Sequence, residues 1–355
     1  MKTIDCNVCK VLVTGTAGFI GSRVAQMLAQ RGDMVVGVDN INDYYDVRLK
    51  YARLRHLLGL DVARVGCKVY GSSLYPNLSF VKLSIDDKSA LDALFEKERF
   101  GVVVNLAAQA GVRYSITHPY AYLQSNIVGF LNILEACRNY NVPRLVYASS
   151  SSVYGMNEKV PYNEADKVDA PVSLYAATKK SNELMAHSYS KLYGFQTIGL
   201  RYFTVYGPWG RPDMSPMLFA NALRDDKPIK VFNNGDMIRD FTYIDDIAEG
   251  TVRAVGHALD LETCPRGVPY KIYNIGCSHP INLMDFISEM EQAYGKKAKK
   301  EFLPMQAGDV YQTNADCKAL EQDMDYHPQV SLHEGVGRFM EWYKTQYANL
   351  LCSGN

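Results

Sequence analysis

Thr14-Gly15-Thr16-Ala17-Gly18-Phe19-Ile20-Gly21 stands between an apolar tripeptide, Val11-Leu12-Val13, and an amphipathic stretch. Its glycines are spaced G-x-x-G-x-x-G. The first suits a tight turn, the second lets backbone approach a diphosphate, and the third lets a helix pack closely on a strand. Beyond the turn, Ile20, Val24, Met27 and Leu28 fall on one helical face over residues 19–31, and Gly32 stops the helix. A helix N-terminus in this place offers unpaired N–H groups and partial positive charge to phosphate. Residues 34–38 read as the next strand, and Asp39 ends it. A carboxylate there accepts hydrogen bonds from both adenosine ribose hydroxyls and repels a 2′-phosphate, which predicts NAD over NADP. Gly15, Gly18, Phe19, Ile20, Gly21 and Asp39 are therefore the expected cofactor contacts.

Working outward, apolar runs at 80–83, 102–106, 145–148 and 197–202 read as further strands. Long helical patterns separate them, notably at 121–139 and 174–193. Repeated strand–helix units predict an α/β fold: a Rossmann-type, doubly wound parallel sheet with right-handed crossovers. After residue 206 the pattern changes, with a turn-rich Gly207-Pro208-Trp209-Gly210-Arg211-Pro212 and shorter elements at 218–224, 229–232, 271–275, 283–293 and 332–347. The expected division is a dinucleotide domain of 1–206 plus 238–278 and a smaller C-terminal lobe of 207–237 plus 279–350. Residues 59–78 read as a loop-rich insertion.

Composition narrows the function classes. The 355 residues are 47% hydrophobic and 21% charged, an ordinary globular balance. Thirty-eight basic residues cancel thirty-eight acidic ones, so nothing marks a nucleic-acid or anionic-membrane partner. No apolar run approaches a spanning helix, and the first ten residues lack the apolar core of a signal peptide, which predicts a soluble, cytoplasmic protein. Of eight cysteines only Cys6 and Cys9 form a close pair, and no second pair completes a zinc site, so no metal is expected.

Tyr175 and Lys179 are four apart on a helical stretch and project from one face. A phenol with a pKa near 10 is a poor base, and a neighbouring ammonium favours its phenolate. Ser149-Ser150-Ser151-Ser152-Val153-Tyr154-Gly155 follows the fifth strand, at a carboxyl end where parallel sheets bind ligands. A hydroxyl there is suited to bond the reacting oxygen and pass protons to Tyr175.

With these residues in order, the chain resembles the extended short-chain dehydrogenase/reductases of the nucleotide-sugar epimerase and dehydratase group. The resemblance runs from Lys10 to about Tyr347 and includes Asn105-Leu106-Ala107-Ala108, the serine run, Tyr175-x-x-x-Lys179, Arg201-Tyr202-Phe203-Thr204-Val205-Tyr206-Gly207-Pro208 and Arg239-Asp240-Phe241. Ala110-Gly111-Val112-Arg113-Tyr114-Ser115 and Gly207 to Met214 are most similar to UDP-glucuronate 4-epimerases. The resemblance implies tightly held NAD, also touched by Ile85 and Ala107, and a catalytic set of Ser150, Tyr175 and Lys179. It implies a UDP-sugar held by Arg113, Ser151, Ser152, Thr204, Arg211, Phe232 beside the uracil, Arg239 on the diphosphate, and Asp309. It also implies a homodimer built from the helices at 121–139 and 174–193.

The serine run separates the group's reactions. Dehydratases of this group carry an Asp-Glu pair where Ser151 and Ser152 stand, and UDP-glucuronate decarboxylases a glutamate at Ser152. Without that acid/base pair, 4-epimerisation remains. Arg211 is the candidate partner of a sugar carboxylate; as a buried cation lacking any other partner it would also reject neutral sugars. UDP-glucose/UDP-galactose epimerisation, UDP-glucuronate decarboxylation and a non-catalytic NAD-bound scaffold are the alternatives.

Overall fold

The computed structural model describes residues 9–62, 68–305, 310–348 and 350. Its main sheet contains β1 (Lys10–Thr14), β2 (Met34–Asp39), β3 (Val69–Gly71), β4 (Leu78–Lys82), β5 (Val102–Asn105), β6 (Arg144–Ser150), β7 (Gln196–Tyr202) and, beyond β8 (Thr204–Tyr206), β9 (Ile229–Val231) and β10 (Ile238–Tyr243), the strand β11 (Tyr270–Ile275). The order across it is β11-β7-β6-β5-β1-β2-β4-β3. Every pairing is parallel except β3 on β4. The chain winds one way from β1 through β2 to β4 and the other way from β5 through β6 and β7. The switch lies between β1 and β5, where a doubly wound sheet opens a ligand crevice. Val11, Leu12, Val13, Val103, Val104, Leu145 and Val146 are buried along these central strands.

Helices Phe19–Arg31 and Leu174–Tyr193 have the bounds expected from the sequence, for identifiable reasons. Gly32 ends the first in a left-handed conformation, φ 102°. Ser173 caps the second, its side chain accepting from Ala176 N–H, and Gly194 closes it at φ 77°. The stretch at 121–139 departs from one regular helix: Pro119–Tyr122 leads into wider π-helical turns over Leu123–Val128 before α-helix resumes at Gly129–Asn139. Within the expected insertion at 59–78, β3 adds an antiparallel edge strand; residues 63–67 lie outside the described residues.

Two small sheets complete the chain. β10 pairs with β8 in parallel and with β12 (Pro280–Asn282) antiparallel, while β13 (Lys300–Phe302) pairs with β9. Thus β10, which begins the segment expected to return to the large sheet, joins the small one first, and β11 then joins the large sheet. Helices Leu283–Tyr294 and Leu332–Trp342 pack against each other through this part.

The glycine turn leaves no spare space. A Cβ on Gly21 would lie 2.1 Å from the Gly15 carbonyl oxygen. Gly21→Ala is therefore expected to destabilise the protein by about 1–3 kcal/mol through forced overpacking. A lower thermal midpoint and loss of co-purifying dinucleotide would register this; unchanged values for both would contradict it.

Candidate active site

One cavity of about 1280 Å³ opens along the carboxyl ends of the central strands. Its walls include Gly15, Gly18, Phe19, Ile20, Gly21, Asp39, Ile85, Ala107, Arg113, Ser150, Ser151, Ser152, Tyr175, Lys179, Thr204, Arg211, Phe232 and Arg239. Every expected site residue is thus gathered there except Asp309, which lies outside the described residues.

At one end the turn makes a phosphate cradle. Gly15 has φ 74°, and a Cβ there would meet Ala107 N at 2.8 Å and the Leu106 carbonyl carbon at 2.9 Å. The N-cap of the following helix, Gly18, contributes no side chain to the first-turn N–H groups. The Asp39 carboxylate accepts from Ala17 N–H at 3.1 Å and Ile41 N–H at 2.7 Å, which pins it beside the turn. Ile85 is held through its carbonyl by Asn132 at 3.0 Å. A glycine cradle with no side chain in it, a free helix N-terminus and a buried acid at the end of β2 fit a dinucleotide.

At the centre, β6 delivers Ser150 and helix Leu174–Tyr193 delivers Tyr175 and Lys179. Ser152 Oγ donates to Ser150 Oγ at 2.9 Å. Burial raises the Tyr175 phenol above its ordinary value, while a hydrogen bond to Ser150 and the charge of Arg211 pull it down. Lys179 is 3% exposed; its Nζ donates to the Ala148 carbonyl at 2.9 Å and lies 6.0 Å from the centre of the Tyr175 ring. Burial pushes its pKa down to about 8. Arg211 is thus a second cation near the phenol, besides Lys179.

A buried ion pair supports this centre from behind. Glu183 lies one helical turn beyond Lys179. Its carboxylate receives Arg201 Nε at 2.8 Å and Nη2 at 2.9 Å, plus the hydroxyl of Ser149 at 2.6 Å. Burial alone would raise this carboxyl, but the Arg201 bonds and charge hold it below its usual value. The fork ties β6, β7 and the helix together next to Ser150.

At the other end, Phe232 lines the wall with the Arg113 guanidinium 5.5 Å from its ring centre. Arg239 donates to the carbonyls of Ile238, Val310 and Tyr311. Arg211 is not an unpartnered cation. Its Nε and Nη2 grip Asp213 at 3.1 and 2.5 Å. This corrects the expectation of a cation lacking any other partner, because Arg211 keeps the Asp213 carboxylate whichever sugar is present. Tyr44, Lys50 and Asp213 also line the cavity, with Arg53 buried behind its wall, without having been expected. The advance signals were polar residues interspersed over 42–53, leading into what proves a half-buried helix, Val47–Leu58, and, for Asp213, its place two residues after Arg211 in the Gly207 to Met214 motif.

A mainly parallel Rossmann-type sheet with Ser150, Tyr175 and Lys179 at its switch-point crevice defines a dinucleotide-dependent short-chain oxidoreductase scaffold. The model of the NAD dependent epimerase/dehydratase family matches residues 11–276, and the chain belongs to that family. It is 48% identical over 347 residues to Protein CapI of Staphylococcus aureus, spanning 95% of this chain and 99% of that protein. It is 44% identical over 348 residues to the probable UDP-glucuronate 4-epimerase of Rhizobium meliloti, spanning 95% and 98%. The crystal structure of UDP-glucuronic acid 4-epimerase from Bacillus cereus, in complex with UDP-glucuronic acid and NAD, is similar with a TM-score of 0.81 and 35% identity. That match covers 95% of this chain and 100% of the other.

The Lys179 amine yields a pH prediction with a definite sign. Its pKa is lowered from 10.5 to about 8, so the folded state binds this proton less tightly than the unfolded chain. The cost of burying the ammonium is full below pH 8 and vanishes as pH rises through 10.5. Lys179→Met is expected to be more stable than wild type at neutral pH, by about 3 kcal/mol at most. Thermal midpoints across pH should converge toward pH 10.5; a gap independent of pH would contradict the burial of a charged amine.

Proposed function

We propose that this chain is a UDP-glucuronate 4-epimerase that works with NAD. The observation that carries the reading is one cavity holding Ser150, Tyr175 and Lys179 together with the guanidinium of Arg211. The relatives and the Bacillus cereus complex support both the reaction and the sugar.

In this reading Tyr175 takes the proton of the carbon-4 hydroxyl. Ser150 bonds the same oxygen and passes the proton onward. NAD, when bound there, would supply the acceptor for the carbon-4 hydride and its return to the opposite face of the turned keto sugar. Lys179, anchored on the Ala148 carbonyl beside Tyr175, would contact the dinucleotide. Gly15, Gly18, Phe19, Ile20, Gly21, Asp39, Ile85 and Ala107 hold the dinucleotide. Phe232 and Arg239 hold the UDP portion, and Arg113, Ser151, Ser152, Thr204, Arg211 and Asp309 are the further substrate contacts.

Ser151 and Ser152 offer no carboxyl group for dehydration. The main-sheet segment and the part containing β9, β12 and β13 would act as cofactor and sugar lobes, divided as 1–206 plus 238–278 and 207–237 plus 279–350. The reading also includes a cytoplasmic homodimer. Leu123, Val128, Leu131, Leu184 and Leu192 are exposed along the helical stretches expected to pair, an apolar face suited to a second copy.

Incubation with UDP-glucuronate, UDP-glucose and UDP-xylose separately, with products identified by NMR, tests the substrate. UDP-galacturonate should form fastest; preferential turnover of UDP-glucose would favour the neutral-sugar alternative. Tyr175→Phe should lower turnover at least about a thousandfold, given the usual weight of a positioned acid/base. The nucleotide released on denaturing that variant should still be NAD. A near-normal rate would refute the assignment of Tyr175, and mainly NADP would refute that of Asp39.

A further inference from the structure

Arg53 is a fully buried cation with no carboxylate partner among the described residues. Its side chain contributes nothing to the cavity wall, yet its five N–H donors join two walls of the cavity. Nε and Nη2 donate to the Trp209 carbonyl at 2.9 and 2.7 Å, and Nη2 also reaches the Gly210 carbonyl at 3.2 Å. Nη1 donates to the Ala17 carbonyl at 3.0 Å and to the Tyr45 hydroxyl at 2.6 Å. Ala17 belongs to the glycine turn and Gly210 precedes Arg211. Trp209 sits at φ 65°, a left-handed backbone that a bulky residue adopts only when held there. Arg53 supplies the hold.

Tyr44, nine residues earlier on the same segment, completes the strut. Its hydroxyl donates to Asp213 Oδ2 at 3.0 Å, and the Arg211 guanidinium lies 5.9 Å from its ring centre. Burial and the Asp213 charge push the phenol up to about 12, so it stays a donor. The Tyr114 ring meets its edge at 4.8 Å. A Cβ on Gly111, φ 101°, would lie 2.6 Å from the Tyr44 oxygen. Three segments thus converge on one guanidinium, whose Nε and Nη2 are committed to Asp213 and whose direction is set by Tyr44 and Asp213.

We propose that the Tyr44–Arg53 strut, acting with Asp213, is the positioning element that fixes Arg211 relative to the dinucleotide turn and so suppresses loss of carbon dioxide from the 4-keto intermediate. This rests on the proposed epimerase reading. Oxidation at carbon 4 makes the sugar a β-keto acid. When the C5–C6 bond lies perpendicular to the ketone plane it breaks: its electron pair forms the C4–C5 enolate, carbon dioxide leaves, and carbon 5 then takes a proton from water. No electrons leave the sugar in that step. The two removed from carbon 4 remain in reduced nicotinamide if the keto-pentose departs. Holding the carboxylate by a guanidinium of fixed direction keeps that bond out of alignment, and a guanidinium free to swing does not.

The test compares wild type with Tyr44→Phe, Asp213→Asn and Arg53→Lys, all incubated with UDP-glucuronate. Carbon dioxide released per UDP-galacturonate formed is measured alongside the absorbance of reduced nicotinamide, and dinucleotide content is measured after denaturation. Tyr44→Phe keeps the ring under Arg211 and removes one hydroxyl. It should raise the carbon dioxide share about tenfold to a hundredfold, the scale of losing a hydrogen bond to a charged group. Asp213→Asn and Arg53→Lys should raise it at least as much, with reduced nicotinamide accumulating in step and dinucleotide content as in wild type. If Arg53→Lys fails to fold, the other two variants decide. An unchanged carbon dioxide share in Tyr44→Phe and Asp213→Asn overturns the proposal. A wild type that forms no UDP-galacturonate overturns instead the epimerase reading beneath it.

Discussion

The approach of the β1 exit to the end of β5 is the constraint on which the rest of this structure depends. Gly15 turns the chain at φ 74° with the Leu106–Ala107 backbone pressed against it. Thr14 Oγ1 bridges the two strands, donating to Asn105 at 2.7 Å and accepting from Ala107 N–H at 3.1 Å. Because the two strands end together there, the helix N-terminus, Asp39 and Ala107 all face one crevice. The Cβ of any other residue at position 15 would fill the space that backbone occupies.

Two buried arginines extend that constraint to the chemistry in different ways. Arg201 is paired with Glu183, and the pair locks the catalytic helix to β6 and β7. Removing either partner would leave an uncompensated buried charge, a loss of about 3–5 kcal/mol. Arg53 has carbonyls where Arg201 has a carboxylate, and it holds backbone instead of a strand–helix packing. The first sets where the hydroxyl and phenol lie. The second sets where the Arg211 loop lies relative to the cofactor turn.

The sequence made most of the large sheet legible because its strands are short, apolar and bounded by glycine or polar residues. Helices 19–31 and 174–193 were legible to the residue because Gly32, Ser173 and Gly194 are unambiguous stops and caps. Helix Val47–Leu58 was missed although Asp46 caps it and Gly59 ends it. Its buried face carries Lys50 and Arg53, which break the apolar period. The three-residue strands β8 and β12 were missed for lack of length, and β10 because Arg239 and Asp240 break its apolar run. At the site, the motif residues among those described line one cavity, but their couplings were not legible. Nothing in the spacing of Tyr175 and Lys179 shows that Lys179 turns to the Ala148 carbonyl, nor does Arg211 two residues before Asp213 reveal a bidentate pair.

The central claim is that this crevice oxidises carbon 4 of UDP-glucuronate and returns the same hydrogen to the other face. UDP-glucuronate carrying deuterium at carbon 4, incubated with the enzyme in ordinary water, tests it most directly. The account predicts UDP-galacturonate with the deuterium retained at carbon 4 and no solvent hydrogen at carbon 5. Loss of the label to water, or solvent hydrogen at carbon 5, would contradict it.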